Sequence, residues 1–383
     1  MDPLSLPQAG TAPGGAAPAV EHYARRVMSG QAQGLRAALV RAGLSTALPF
    51  YASAVTARNW AFDRGLKASY RLSRPVISVG NITTGGTGKT PVVRWLAGRL
   101  RERGRHVAVL ARGYGARPGE LGDEQLMLER LLNQSDSGER VNVVANPDRL
   151  SAARRTLLER PDVDVFVLDD GFQHRRLARD LDIVLINATS PFGYGHMLPR
   201  GMLREPLGAL RRAGAVVVTH ADQPPARELE AIERRVRQAA PAVPIYRAAH
   251  EHAALHAGDG SGPHPLDRLK TSTWFAACGI GDPQSFLRQL ESVGGRPAGF
   301  RWFADHHRYT AGDLADVRRR ARDVGADLIV TTEKDWTKLE PFDRPADGQV
   351  PVWRVDLRVR FLDGGEGRLW EQVWRAVQAG GRT

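Results

Sequence analysis

Cysteine is almost missing from this chain: Cys278 is the sole example in 383 residues. That excludes an intrachain disulfide framework and a multi-cysteine zinc site, and it fits a reducing cytoplasm. Cys278 lies in the apolar run Trp274–Ile280 and reads as a small core residue. No stretch of about 20 uncharged apolar residues occurs, so nothing reads as a standard transmembrane helix. The Pro-, Ala- and Gly-rich start, Pro3 to Val20, lacks a basic stretch followed by a long apolar core. It therefore reads as a disordered extension rather than a signal peptide. Acid is in short supply, with 42 acidic against 54 basic residues and a net charge of +12. Such a balance suits an anionic partner: nucleotide, nucleic acid or an acidic lipid surface. Aromatic–basic stacking motifs typical of nucleic-acid binders are absent, which weighs against the second of these.

What is present is a phosphate-binding loop. Val76–Val79 is short, apolar and mostly β-branched, as a buried parallel strand should be. It runs into Thr83-Thr84-Gly85-Gly86-Thr87-Gly88-Lys89-Thr90. The glycines let backbone N–H groups converge on phosphate, Lys89 adds a point charge, and Thr90 offers a hydroxyl to Mg²⁺. Val92, Val93, Leu96, Ala97 and Leu100 then recur at helical spacing, placing the loop at a helix N-terminus whose dipole favours anions. Thr83 stands where the usual pattern has its first glycine. The chain is expected to bind a nucleoside triphosphate.

Strand-like runs follow at 106–110, 141–144, 163–168, 183–186 and 215–219, with helical patterning at 123–132, 150–158 and 228–240. A second alternation begins after a Gly-, His- and Pro-rich joint at 256–265. The pattern predicts an α/β fold: a P-loop NTPase-like three-layer α/β/α domain over 75–245 and a smaller α/β domain over 246–383. Ahead of them stand an extension (1–34) and a basic amphipathic segment (35–74). Within that segment, residues 42–57 carry no charge, and Phe50, Tyr51, Trp60 and Phe62 supply bulk between flanking arginines. It suits either a bilayer interface or a helix packed on the protein's own core.

Candidate chemistry gathers at strand ends. The run 163–168 delivers Asp169 and Asp170, the arrangement that places a carboxylate near Mg²⁺ beside a P-loop. Gln173 and His174 follow at the same rim. Asp123 and Glu124 open a helix, where spacing alone favours dipole partners and an N-cap over a base and a metal partner. Arg204 lies in a turn-rich loop and suits charge developing on a phosphoryl group. His306 and His307 follow a strand of the smaller domain. Thr219-His-Ala-Asp222 has the place of a guanine-recognition signature, but His220 replaces its lysine.

Together these motifs resemble the tetraacyldisaccharide 4′-kinase family, the lipid A 4′-kinases of Gram-negative bacteria. The resemblance rests on the P-loop with Thr83, Arg112-Gly-Tyr-Gly115, Gly122-Asp-Glu124, Leu168-Asp-Asp-Gly-Phe-Gln-His174, Arg179-Asp-Leu-Asp-Ile-Val184, Leu203-Arg-Glu-Pro206, Asp305-His306 and Thr331-Thr-Glu-Lys-Asp335. These run in family order from about Pro49 to Leu339. Residues before about 35 have no family counterpart. Tyr194, His196 and Arg200 depart from the family pattern, and 133–140 is an extra polar loop.

The resemblance implies transfer of the ATP γ-phosphate to the 4′-hydroxyl of a tetraacylated glucosamine disaccharide 1-phosphate, giving lipid IVA. It implies Asp123 as catalytic base with His306 as its partner, Lys89 and Arg204 as catalytic cations, and residues 83–90 with Gln173 and His174 around the nucleotide. Thr90, Glu124, Asp169 and Asp170 would surround Mg²⁺. A monomer on the cytoplasmic face of the inner membrane is expected, peripheral and held by anionic lipid, with no nucleic-acid partner. The rival readings are a P-loop switch ATPase, which would turn over ATP without the lipid, and a nucleic-acid-associated NTPase, whose binding would be salt-sensitive.

Overall fold

A computed structural model of the chain describes residues 23–113, 121–133, 140–305, 307–344 and 348–380. The extension before residue 23, Tyr114 and Gly115, most of the extra polar loop, and His306 lie outside the described residues.

A single 11-stranded sheet runs through the molecule in the order β3-β2-β4-β1-β5-β6-β7-β11-β10-β8-β9. Its first part comprises β1 (Val76–Asn81), β2 (Val107–Ala111), β3 (Asn142–Ala145), β4 (Val165–Asp169), β5 (Leu181–Asn187) and β6 (Ala215–Thr219), all parallel. These strands are apolar at consecutive positions because both faces are covered. Ile77, Val79, Val109 and Val167 pack on one side, against α3 (Lys89–Glu102), α4 (Asp123–Leu132) and α10 (Gly365–Gly380). Val76, Leu110, Phe166 and Leu168 face the other way, toward α5 (Arg149–Glu159), while Val184 and Val218 meet α6 (Ala226–Ala239). This is the expected three-layer arrangement.

The smaller half contains β8 (Trp274–Cys278), α7 (Pro283–Gly294), β9 (Gly299–Trp302), α8 (Ala311–Asp323), β10 (Leu328–Thr332), α9 (Glu333–Leu339) and β11 (Val352–Phe361). Cys278 is fully buried there, and burial pushes its thiol up to about 12, so it is a core residue. The two halves are joined edge to edge by β7 (Ile245–Ala257). The start of β7 pairs parallel with β6, and the remainder pairs antiparallel with β11. Sequence patterning anticipated a joint from 256, whereas the strand continues to Ala257; its three histidines, His250, His252 and His256, break the alternation of a half-buried strand. Helix α9 was also not anticipated, because Thr331–Asp335 reads as a charged strand end.

The N-terminal part has a helical turn, α1 (residues 23–28), and a long helix, α2 (Leu35–Asp63), which continues through Pro49. Of its 29 residues only Ala37 and Asn59 are buried. Phe50 is 79 % exposed and Leu35 77 %, so α2 is not a helix packed into the protein's own core. Its C-terminal half is nevertheless pinned by polar bonds. Tyr51 Oη donates to the Arg204 carbonyl (3.0 Å), Arg58 to the Gln173 carbonyl (2.7 Å), and Asn59 Nδ2 to the buried Glu205 carboxylate (2.7 Å).

Candidate active site

The P-loop leaves the C-terminal end of β1, where ligands bind in parallel sheets. Several bonds fix its shape. Asn81 Nδ2 donates to Thr87 Oγ1 (3.0 Å), Thr219 Oγ1 to the Thr87 carbonyl (3.0 Å), and Asn187 Nδ2 to the Gly86 carbonyl (3.0 Å). Thr83 is buried and bridges to Leu203. Gly88 has φ 71°, and a Cβ there would collide with the His250 ring, so the loop requires glycine twice over.

Two cavities flank the loop. The larger, about 1420 Å³, is lined by Thr84, Gly85, Lys89, Arg112, Asp123, Glu124, Asp169, Asp170 and Arg204 from the P-loop half, and by His307, Arg308 and Tyr309 from the other. The smaller, about 470 Å³, is lined by Gly86, Gly88, Thr90, Asn187, His220 and His250, among others. Eight of the expected residues thus meet in one space: Thr84, Gly85, Lys89, Asp123, Glu124, Asp169, Asp170 and Arg204. Thr90 faces the other cavity. Gln173 and His174 line neither cavity. Gln173 Nε2 donates to the Asn81 carbonyl (3.0 Å), bracing the base of the loop, and His174 is held neutral to about 4 by burial and then by Arg149. Where His306 was expected, the described neighbour is His307, stacked on Phe303 and hydrogen-bonded to Asp313 (3.2 Å).

The charges are arranged in layers. Asp170 sits at φ 55°, a left-handed conformation that a non-glycine residue holds only under constraint. Arg204 Nη1 donates to its Oδ2 (2.8 Å), and Lys89 Nζ lies 3.5 Å from Oδ1. Burial pushes the Asp170 carboxyl up, but Lys89 and Arg204 outweigh it and hold it below the usual carboxylate range. Its neighbour behaves oppositely. Burial lifts Asp169 to about 6; Lys89 opposes the rise, and the Asp170 and Glu124 charges add to it. Asp169 Oδ1 is buried without a hydrogen-bond partner. An orphaned carboxylate oxygen facing other carboxylates suits a hard cation, and Mg²⁺ characteristically takes one or two carboxylates and leaves the rest to phosphate and water. Among the described residues no group of three or more His, Cys, Asp or Glu is placed to hold a metal ion by itself.

Two contributors were missed by sequence reasoning. Arg149, buried at the first turn of α5, faces Asp169 and Asp170. A cation there opposes the helix dipole, and that misfit was the available signal. The other is the His220–His250 pair, with ring nitrogens 3.0 Å apart behind Gly88; nothing in the sequence joins them.

The family model for tetraacyldisaccharide-1-P 4′-kinase matches residues 41–378. The chain belongs to that family. It is 43 % identical over 328 residues to the tetraacyldisaccharide 4′-kinase of Anaeromyxobacter dehalogenans strain 2CP-C, covering 81 % of this chain and 84 % of the relative. It is 36 % identical over 353 residues to that of Geobacter sulfurreducens, covering 88 % and 95 %. Among solved structures, LpxK from Aquifex aeolicus in complex with ATP is 30 % identical with a TM-score of 0.69, covering 88 % of this chain and 99 % of that one. As a family member the chain is an ATP-dependent kinase of lipid A biosynthesis acting on the tetraacyldisaccharide lipid. No helix among the described residues is long and apolar enough to cross a membrane.

Proposed function

We propose that the larger cavity is the transfer site, in which the γ-phosphate of ATP passes to the 4′-hydroxyl of tetraacyldisaccharide 1-phosphate and Asp123 accepts the hydroxyl proton. The observation that carries this reading is that Asp123 shares one cavity with Lys89, Asp170 and Arg204. The new bond joins the 4′-oxygen to the γ-phosphorus, the bridging bond to the β-phosphate breaks, and ADP leaves. Lys89 and the P-loop amides hold the β- and γ-phosphates, and Arg204 meets charge developing on the equatorial oxygens. Asp170, already paired to both cations, keeps them aimed before substrate arrives.

Mg²⁺, held by Asp169 with Glu124 nearby and reached by Thr90 once the nucleotide is seated, would neutralise phosphate charge. Gln173 and His174 act from behind the loop on the nucleotide side. The nucleoside end fits the smaller cavity, beside Asn187 and His220. His306 would orient Asp123 from the smaller half, over residues 246–383, with the half over 75–245 holding ATP. A water-excluding cleft between the two limits wasteful hydrolysis.

Because the acceptor is a bilayer lipid, the enzyme would act as a monomer on the cytoplasmic face of the inner membrane. The exposed apolar residues of α2 would enter the interface, and its arginines would meet anionic headgroups. The test is transfer of labelled γ-phosphate to purified disaccharide 1-phosphate. Asp123→Ala should lower kcat by about 10²–10⁴-fold with ATP binding retained, whereas Lys89→Ala should lose turnover and weaken ATP binding. An Asp123→Ala enzyme with near-normal kcat would remove the base from this mechanism.

A further inference from the structure

The family model matches from residue 41, and ordered structure lies ahead of that point. Residues 23–32 form α1 and a turn that folds back on the start of α2. Val27, Ala32 and Ala37 are buried together, with Leu44 packed against them. Gly30 and Gly34 take φ 80° and 95° to make the bends. Arg41 donates to the Ala32 carbonyl (2.6 Å), closing the turn. At the other end, Arg200 Nη1 donates to the Met28 carbonyl (3.0 Å). Arg200 thereby ties this segment to the loop preceding Arg204.

The tie puts the segment on the transfer cavity. Ala24, Arg25 and Met28 line it beside Leu198 and Met202, with Phe342 also on its wall. The cavity is larger than the 300–1,000 Å³ or so of an ordinary small-molecule site, and a nucleotide's phosphates fill only part of it. Met28, Leu198, Met202 and Phe342 bring apolar surface to the cavity, among cations that include Arg25, Arg130, Arg308 and Lys338. Apolar surface set among cations is the complement of an acylated, phosphorylated sugar as well as of a nucleotide's phosphates.

We infer that residues 23–32 are a wall of the acceptor end of the cavity, in which Met28 and Ala24 contact the apolar part of the lipid disaccharide and Arg25 its anionic part. This rests on the proposed transfer site, and the wall acts on acceptor binding rather than on ATP or the chemical step.

The test uses the full chain in detergent, with tetraacyldisaccharide 1-phosphate and ATP as the varied substrates. Val27→Asp, which undocks the segment from its buried cluster, and Met28→Ala should each raise KM for the disaccharide, by about tenfold or more for the former. The KM for ATP should stay within about twofold. Hydrogen exchange provides the arm that does not depend on turnover: amides 23–32 should slow on addition of the disaccharide and not on addition of ATP with Mg²⁺. Val27→Asp whose segment exchanges freely but whose acceptor KM equals wild type overturns the wall. So does wild-type exchange that is unmoved at disaccharide concentrations saturating turnover. If wild type protects residues 23–32 with the lipid yet transfers no phosphate to it, the transfer-site reading fails while the wall stands.

Discussion

At residue scale the site depends on how two adjacent carboxylates are treated differently. Asp170 is clamped by Arg204 and Lys89, which hold its carboxyl below the usual range, whereas burial lifts that of Asp169; Oδ1 of each is buried without a hydrogen-bond partner. In the proposed mechanism the first is a positioning group and the second holds Mg²⁺. Removing the clamp should therefore damage more than one charge. Arg204→Gln is expected to lower kcat by about 10²–10³-fold, with ATP affinity less affected, measured by single-turnover transfer against equilibrium nucleotide binding. Most of these residues were legible in the sequence because a strand followed by a turn delivers its chemistry in consecutive positions, as in 83–90 and 168–174. Arg149, His220 and His250 were not, since each acts through a partner distant in sequence. Thr90 was legible as a type but not in direction: it looks into the smaller cavity.

At the scale of elements, α2 separates what composition can say from what it cannot. Its charge-free middle left an interfacial and a packed helix open, and only the observed exposure of Leu35, Leu39, Phe50 and Trp60 disfavours packing. Proline at position 49 would ordinarily end a helix, so the element's full length was also hidden. Phe50→Glu and Trp60→Glu should each weaken binding to vesicles containing anionic lipid, together by about tenfold or more, in a flotation assay. Raised salt should weaken the wild type as well. Activity toward detergent-dispersed acceptor should fall much less than activity toward vesicle-borne acceptor. Strand β7 was missed for a different reason. It changes from a parallel to an antiparallel neighbour along its length, so its pattern of exposure is not constant, and its histidines disguise it.

For the whole molecule, the two α/β alternations were evident from the chain, but their union in one sheet was not. Strand pairing between β7 and β11 is a long-range fact that no local pattern encodes. The seam is reinforced by the ion pair of Arg94 on α3 with the buried Asp356 of β11. Buried histidines near the seam give folding a pH dependence. His250 is held neutral, down to about 3, by burial and then by His220. In the unfolded chain it would protonate near 6.5. Its folded pKa lies below the unfolded one, so stability is intact above about pH 6.5 and falls as the pH drops toward 3, by about 1.4 kcal/mol per pH unit from this group. Urea unfolding between pH 7.5 and 5 should show a shallower decline in His250→Gln than in wild type.

The bonds that suspend α2 end on the carbonyls of Gln173 and Arg204 and on the side chain of Glu205, next to Arg204. The helix proposed to meet lipid is thus tethered to the backbone that carries the guanidinium paired with Asp170. Were a bilayer to pull on that helix, the path to the Arg204 side chain would be only a few covalent bonds long.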